Sequence, residues 1–149
     1  SMAIGQGELL LTPIQMANIT AILANRGFYY TPHIIKNISG QEAIDTNFTK
    51  KKFCAIEPKH FTPIIEGMKQ VIEGVNGTAQ KAKIPGIEIC GKTGTAQNPH
   101  GEDHSWFTGY LVKGGAPVFS ITVLVAHGGK GSIEAASISH VRVPGLLPP

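Results

Sequence analysis

Cysteine is scarce in this sequence: Cys54 and Cys90 stand far apart, with no Cys-x-x-Cys pair. That spacing argues against a structural zinc site or a disulfide scaffold, and it neither establishes nor excludes an oxidising compartment. Charge is thin as well. Charged residues fill 15% of the 149 positions against 42% hydrophobic ones, which excludes a disordered polyelectrolyte. Lys and Arg are scattered except for Lys50-Lys51-Lys52; a nucleic-acid binder concentrates them, so no nucleic-acid partner is expected and the triplet reads as a solvated turn. Long apolar runs are missing too. The longest, Val118 to Ala126, falls far short of the roughly 20 residues a membrane-spanning helix needs, so no transmembrane segment is expected in this chain. Ser1-Met2 carries no leader pattern and reads as an expression junction, which sets residues 1–3 aside from fold reasoning.

What is present suffices for one domain with a core. Thr12-Pro13-Ile14-Gln15 predicts a helix start, with Thr12 as N-cap, Pro13 at the first helical position and Gln15 closing a capping box. Ile14, Ala17, Ala21 and Ala24 then recur on one face, which predicts close packing there, and Gly27 is placed to end the helix. Phe28 to Ile35 has strand character interrupted by Pro32, and the stretch through Lys52 reads as a hairpin or surface excursion. A second helix opens at Thr62-Pro63, buries Ile65, Met68, Ile72 and Val75, and stops near Asn76-Gly77. Thr78 to Ala82 adds a helical turn before Pro85-Gly86. Three strand-like runs follow, 87–96, 106–112 and 118–126, the last two joined at Gly114-Gly115, and consecutive strands of this kind pair antiparallel. Gly128 to Gly131 is a turn, and Ser132 to Ser139 a weak helix lying on the sheet. Helices first and a meander of strands afterwards predict an α+β fold, an antiparallel sheet with packed helices.

Gly86-Ile87-Glu88-Ile89-Cys90-Gly91-Lys92-Thr93 formally matches the phosphate-binding pattern G-x-x-x-x-G-K-T. A phosphate loop follows a strand and opens into a helix, whose N-terminal amides hold the anion. Here the interior alternates like a strand, and Gly94 and Pro99 stand where helix formers are required. The other reading places Lys92-Thr93-Gly94 on an accessible strand, the arrangement of penicillin-binding proteins and serine β-lactamases. There the Lys92 ammonium attracts a carboxylate-bearing substrate, the Thr93 hydroxyl holds that carboxylate, and Gly94 leaves room for an approaching acyl group. Thr95 points the same way as Thr93, because side chains alternate along a strand. Its hydroxyl offers a second carboxylate contact and its N–H an oxyanion donor.

The tripeptide has company. Ile4-Gly5-Gln6-Gly7, Leu11-Thr12-Pro13-Ile14-Gln15-Met16-Ala17, Gly77-Thr78-Ala79, Gly91 to Gln97, and His104-Ser105-Trp106-Phe107 with Gly109 resemble, in that order, class B penicillin-binding proteins, and among them the elongation-type members. The similarity runs from about Ile4 to about Gly131. It implies a partial penicillin-binding transpeptidase fold from a D,D-transpeptidase that cross-links peptidoglycan stem peptides, is acylated by β-lactams and works with cell-wall elongation proteins. It places that enzyme at the periplasmic face of the bacterial inner membrane and requires no cofactor. It also implies that Lys92 and Thr95 are catalytic and that Thr93, Gly94 and Thr95 bind substrate, with Trp106 and Phe107 packing on the next strand.

The family's nucleophile is the serine of Ser-x-x-Lys, activated by the lysine. None of Ser1, Ser39, Ser105, Ser120, Ser132, Ser137 and Ser139 has a lysine three residues on, and no Ser-x-Asn motif is present. Both motifs precede the Ile4-Gly5-Gln6-Gly7 region in the family. Residues 1–149 are therefore expected to be a C-terminal fragment of the domain, inactive alone, with an atypical tail over 132–149. Two rival functions stand beside this one. A β-lactam-sensing or cell-wall scaffold module shares the Lys-Thr-Gly strand, and His100-Gly101-Glu102-Asp103-His104 gathers ligand types for a divalent metal, although a polar surface loop accounts for it and no metal is expected.

Overall fold

The computed structural model describes residues 9–40 and 44–142; Ile4-Gly5-Gln6-Gly7 and the tail from Val143 lie outside them. Helix α1 (Pro13–Ala24) opens as its sequence predicts. The Gln15 N–H donates to Thr12 Oγ1 and the Thr12 N–H donates to Gln15 Oε1 at 2.8 Å, a reciprocal capping box. Its other end departs from expectation by one position. Arg26 takes the left-handed conformation first, with φ 53°, and Gly27 follows at φ 118°. The Arg26 N–H reaches Leu23 O and the Gly27 N–H reaches Ile22 O at 2.9 Å, which closes a Schellman motif. The Arg26 guanidinium donates to Thr62 Oγ1 at 2.8 Å, an anchor that offsets the cost of a side chain at positive φ.

The strand expected over 28–35 shrinks to β1 (Phe28–Tyr29), paired antiparallel with β2 (Lys52–Phe53). Pro32 has no N–H to continue a ladder. Between the two strands lies the short helix α2 (Thr46–Thr49), capped by Asp45. A 3-10 turn, Pro58–His60, leads into α3 (Phe61–Glu73), where Pro63 falls in the first turn and costs no hydrogen bond. Phe61, Met68 and Ile72 are buried as a stripe. Val75, expected in that stripe, is 93% exposed, because the helix ends at Glu73 and Gly74 turns extended.

The larger sheet among the described residues runs β3 (Glu88–Ala96), β4 (His104–Lys113) and β5 (Ala116–Val125), in that order and antiparallel throughout. Lys113 pairs with Ala116 across Gly114 and Gly115, both at positive φ as a two-residue hairpin loop of the type I′ kind demands. Helix α4 (Glu134–Arg142) lies on one face of the sheet and α1 on the other.

On the α4 face Phe107, Leu111 and Ile89 pack with Ile72, Ala79, Ala82, Ile84, Ala135 and Ala136. The Phe107 ring lies over two cross-strand glycines, Gly91 and Gly109. A Cβ on Gly91 would sit 2.6 Å from Phe107 Cζ, and one on Gly109 2.8 Å from Cys90 O. Both positions therefore admit only glycine while the ring stays where it is.

On the α1 face the contact is unexpectedly polar. Thr20, rather than the alanine stripe, is the residue of α1 driven to burial, and Ile14 stays 58% exposed. Thr20 Oγ1 donates to Met16 O at 2.9 Å and meets Thr108 Oγ1 at 2.6 Å, while Thr108 meets Thr122 at 2.7 Å. Thr108 Oγ1 also lies 3.4 Å from Ile121 O, a second acceptor for its single proton, so the three hydroxyls form a connected chain whose direction the geometry leaves open. Ser120 Oγ adds a bond to Ala17 O at 2.9 Å. The small alanines let the helix come near enough for this hydroxyl chain to close.

Two outcomes follow from the packing. Gly91→Ala forces the Phe107 ring out of its trough and is expected to cost about 1–3 kcal/mol, read as a lower urea midpoint at unchanged slope. Stability also falls as pH rises past about 9. The Glu88 carboxylate, 2.6 Å from Lys69 Nζ, holds the Lys69 ammonium above its ordinary range. Burial pushes up the Cys90 thiol, whose ordinary value is 9.0, and the cross-strand Tyr110 phenol. At alkaline pH the folded chain then binds more protons than the unfolded one, so ΔG of unfolding declines with pH. Denaturation midpoints at pH 7, 9 and 10.5 check the sign.

Candidate active site

Strand β3 is an edge strand: β4 pairs with one side, and among the described residues no strand pairs with the other. The segment Gly91 to Thr95 lies wholly inside it. No helix opens after Thr93 and Gly86 sits in a turn at φ 78°, so the phosphate-loop reading fails on geometry. The alternating pleat sends Lys92 to the α1 face opposite Thr108. Thr93 and Thr95 go to the α4 face, opposite Phe107 and Ser105.

An open cleft of about 490 Å³ takes in the strand from Lys92 to Ala96, together with His104, Trp106, Thr108, Met16 and the apolar run Leu9 to Leu11. Its lining is largely apolar, with Lys92, Thr93, Thr95, His104 and Thr108 as the polar residues along it. Lys92 is exposed and its Nζ donates to Thr93 O at 2.7 Å, which lays the side chain along its own strand. Gly94 faces Trp106, where an added Cβ would come within 3.3 Å of Trp106 Cβ; glycine keeps the strand flush with the indole.

Both threonine hydroxyls are engaged from outside the strand. Thr93 Oγ1 meets Thr78 Oγ1 at 2.9 Å. Thr95 Oγ1 accepts the Gly131 N–H at 3.2 Å. The loop that brings Gly131 is tied down by Ser105, which is fully buried. Ser105 Oγ donates to Lys130 O at 3.2 Å and accepts the Ala135 N–H at 3.1 Å, so a hydroxyl on β4 caps the first turn of α4. Sequence reasoning singled out His104-Ser105-Trp106-Phe107 without a reason for the serine. A cap supplied from a strand 30 residues away leaves no local sequence signal.

Of the loop His100 to His104, only His104 reaches the cleft. Its Nδ1 accepts the His127 N–H at 3.0 Å, and the two rings stand edge to face at 4.9 Å. Asn98 organises the rest, with its N–H on Asp103 Oδ1 and its amide on Glu102 O. Among the described residues no three His, Cys, Asp or Glu side chains gather as a metal site. Cys90 is buried in the α1-face core beside Met68 and Tyr110, and Cys54 is half-buried; neither lies at the cleft, and both are free thiols.

The family model of the penicillin binding protein transpeptidase domain matches residues 1–141. The chain belongs to that family. Among curated relatives, the peptidoglycan D,D-transpeptidase MrdA of Haemophilus influenzae is 33% identical over 93% of this chain and 24% of its own length. The penicillin-binding protein A of M. tuberculosis, solved as an imipenem acyl-enzyme complex, superposes with TM-score 0.75 at 28% identity, over 97% of this chain and 33% of that one. The penicillin-binding protein PBP2 of Helicobacter pylori, solved in complex with MreC, gives TM-score 0.75 at 28% identity over 97% of this chain and 27% of that one. This transpeptidase-domain chain thus spans about a quarter of the length of the curated relative named here. The α+β fold expected from the order of elements is the fold of these relatives.

Ser105→Ala removes the cap of α4 and strands the Ala135 N–H in the core. The expected loss is about 1–3 kcal/mol, with amide exchange accelerated first in α4 and the 128–131 loop; uniform exchange across the sheet would contradict a local anchor.

Proposed function

We propose that this chain supplies one wall of the acyl-transfer site of a peptidoglycan D,D-transpeptidase. One observation carries the reading: Lys92, Thr93 and Thr95 border the same cleft, along the side of β3 opposite β4. The ammonium and the hydroxyls suit the C-terminal carboxylate of a stem peptide, and the apolar wall from Leu9 to Trp106 suits its methyl-bearing residues. With the carboxylate held there, the penultimate carbonyl lies along β3, and the Thr95 N–H is the oxyanion donor we assign.

The attacking group in this reading is a serine outside the seven present, since none stands in a Ser-x-x-Lys pattern. Its oxygen adds to the carbonyl, the terminal amine leaves with a proton, and a second stem peptide's amine then displaces the serine. A β-lactam follows the first half, with its ring nitrogen as the tethered leaving group. Catalysis on stem peptides places the site on the periplasmic side of the inner membrane, alongside elongation proteins of the MreC kind. That a curated relative is itself a transpeptidase favours this reading over a sensing or scaffold module.

The test grafts residues 9–142 in place of the matching segment of the Haemophilus influenzae MrdA protein. The chimera is expected to be acylated by a fluorescent penicillin, with Lys92→Ala slowing acylation at least about 100-fold, while the 149-residue chain alone takes up no covalent label. Acylation of the isolated chain, or a Lys92→Ala chimera as fast as its parent, would defeat the proposal.

A further inference from the structure

Gly77-Thr78-Ala79 is a motif without an assigned task, and its surroundings supply one. The backbone on either side of Thr78 is held rigidly against the C-terminal end of α3. A Cβ on Gly77 would lie 2.4 Å from Val71 O, so only glycine passes that close. The Ala79 N–H donates to Val71 O at 2.9 Å, and Ala79 itself is fully buried. Next to it, the Gln80 side-chain amide donates to both Gly74 O and Val75 O at 2.7 Å. Thr78 is the exposed residue in the middle of this fixed turn. Its hydroxyl lies 2.9 Å from that of Thr93, 15 residues along the chain.

A hydroxyl owns one proton. If Thr93 gives its proton to an incoming carboxylate, the bond between the two threonines survives only with Thr78 as donor. The order is then Thr78 O–H to Thr93 Oγ1, and Thr93 O–H to the carboxylate, each link polarising the next. We infer that Thr78 is a positioning residue for carboxylate recognition: it aims and polarises the Thr93 hydroxyl from a turn pinned to α3. The inference rests on the reading of Thr93 as a carboxylate contact. It also accounts for the three-residue motif as a unit, with glycine for close approach, threonine for the bond and alanine for burial beneath it.

The experiment uses the full 149-residue chain and two probes, benzylpenicillin and its methyl ester, which differ in the carboxylate charge. Amide shifts of β3 in two-dimensional NMR give the dissociation constant for each, in the wild type and in Thr78→Val, Thr78→Ser and Thr93→Val. The wild type is expected to prefer the free acid. Thr78→Val is expected to weaken the free acid about fivefold and leave the ester unchanged, and Thr78→Ser, which keeps the hydroxyl, to restore the preference. A structural role alone would move both probes together. If Thr93→Val abolishes the preference and Thr78→Val does not, the role of Thr78 is overturned while the carboxylate reading stands. If the wild type has no preference, or Thr93→Val retains it in full, the carboxylate reading itself fails and takes the inference with it.

Discussion

The arrangement depends on an aromatic ring laid over two glycines. Phe107 fills the trough left by Gly91 and Gly109, and the missing Cβ atoms set how β3 and β4 pair. A one-residue slip in that register would exchange the faces of β3 and carry Thr93 and Thr95 to the α1 side. It would also break the bonds that Thr78 and Gly131 make with them. The ring thus specifies a register, and the register specifies which side chains meet at the cleft. Burial of Phe107 serves stability, while its seating on glycine serves placement.

Around that register the molecule uses hydroxyls as connectors. Thr122, Thr108 and Thr20 join β5, β4 and α1 through one chain of hydroxyls. Ser105 joins β4 to α4 and to the loop that bears Gly131. Thr78 joins the end of α3 to β3. Each connector fixes an element against the sheet at a single point, and two of them end at the threonines that border the cleft. For the buried connectors, Thr20 and Ser105, losing the partner costs the full desolvation of the hydroxyl, which keeps those joints in place.

Much of this was legible in the residues. Thr12, Pro13 and Gln15 announce the start of α1 by local chemistry, and the glycine pair at 114–115 announces the hairpin. The strand character of 87–96 is readable from alternation, and it separates the Lys-Thr-Gly segment from a phosphate loop. What was not legible depended on partners distant in the chain. The alanine stripe of α1 looked like its buried face, yet Thr20 is driven inside by Thr108, 88 residues away. Val75 continued a helical stripe that Gly74 had already ended. Arg26 takes the left-handed position beside an available glycine, with Thr62 as its anchor. Family membership emerges from the ordered set of motifs, none of which is specific alone.

The central claim is that Gly91 to Ala96 form a strand with one edge bonded to β4 and the other paired by no described strand and facing the cleft. Residue-resolved amide hydrogen exchange measures this directly. The account predicts alternation along these six residues, with amides directed at β4 slow and those directed outward fast. Uniformly slow exchange would mean that the edge is already covered, and uniformly fast exchange that the segment is a loop; either pattern would contradict the account.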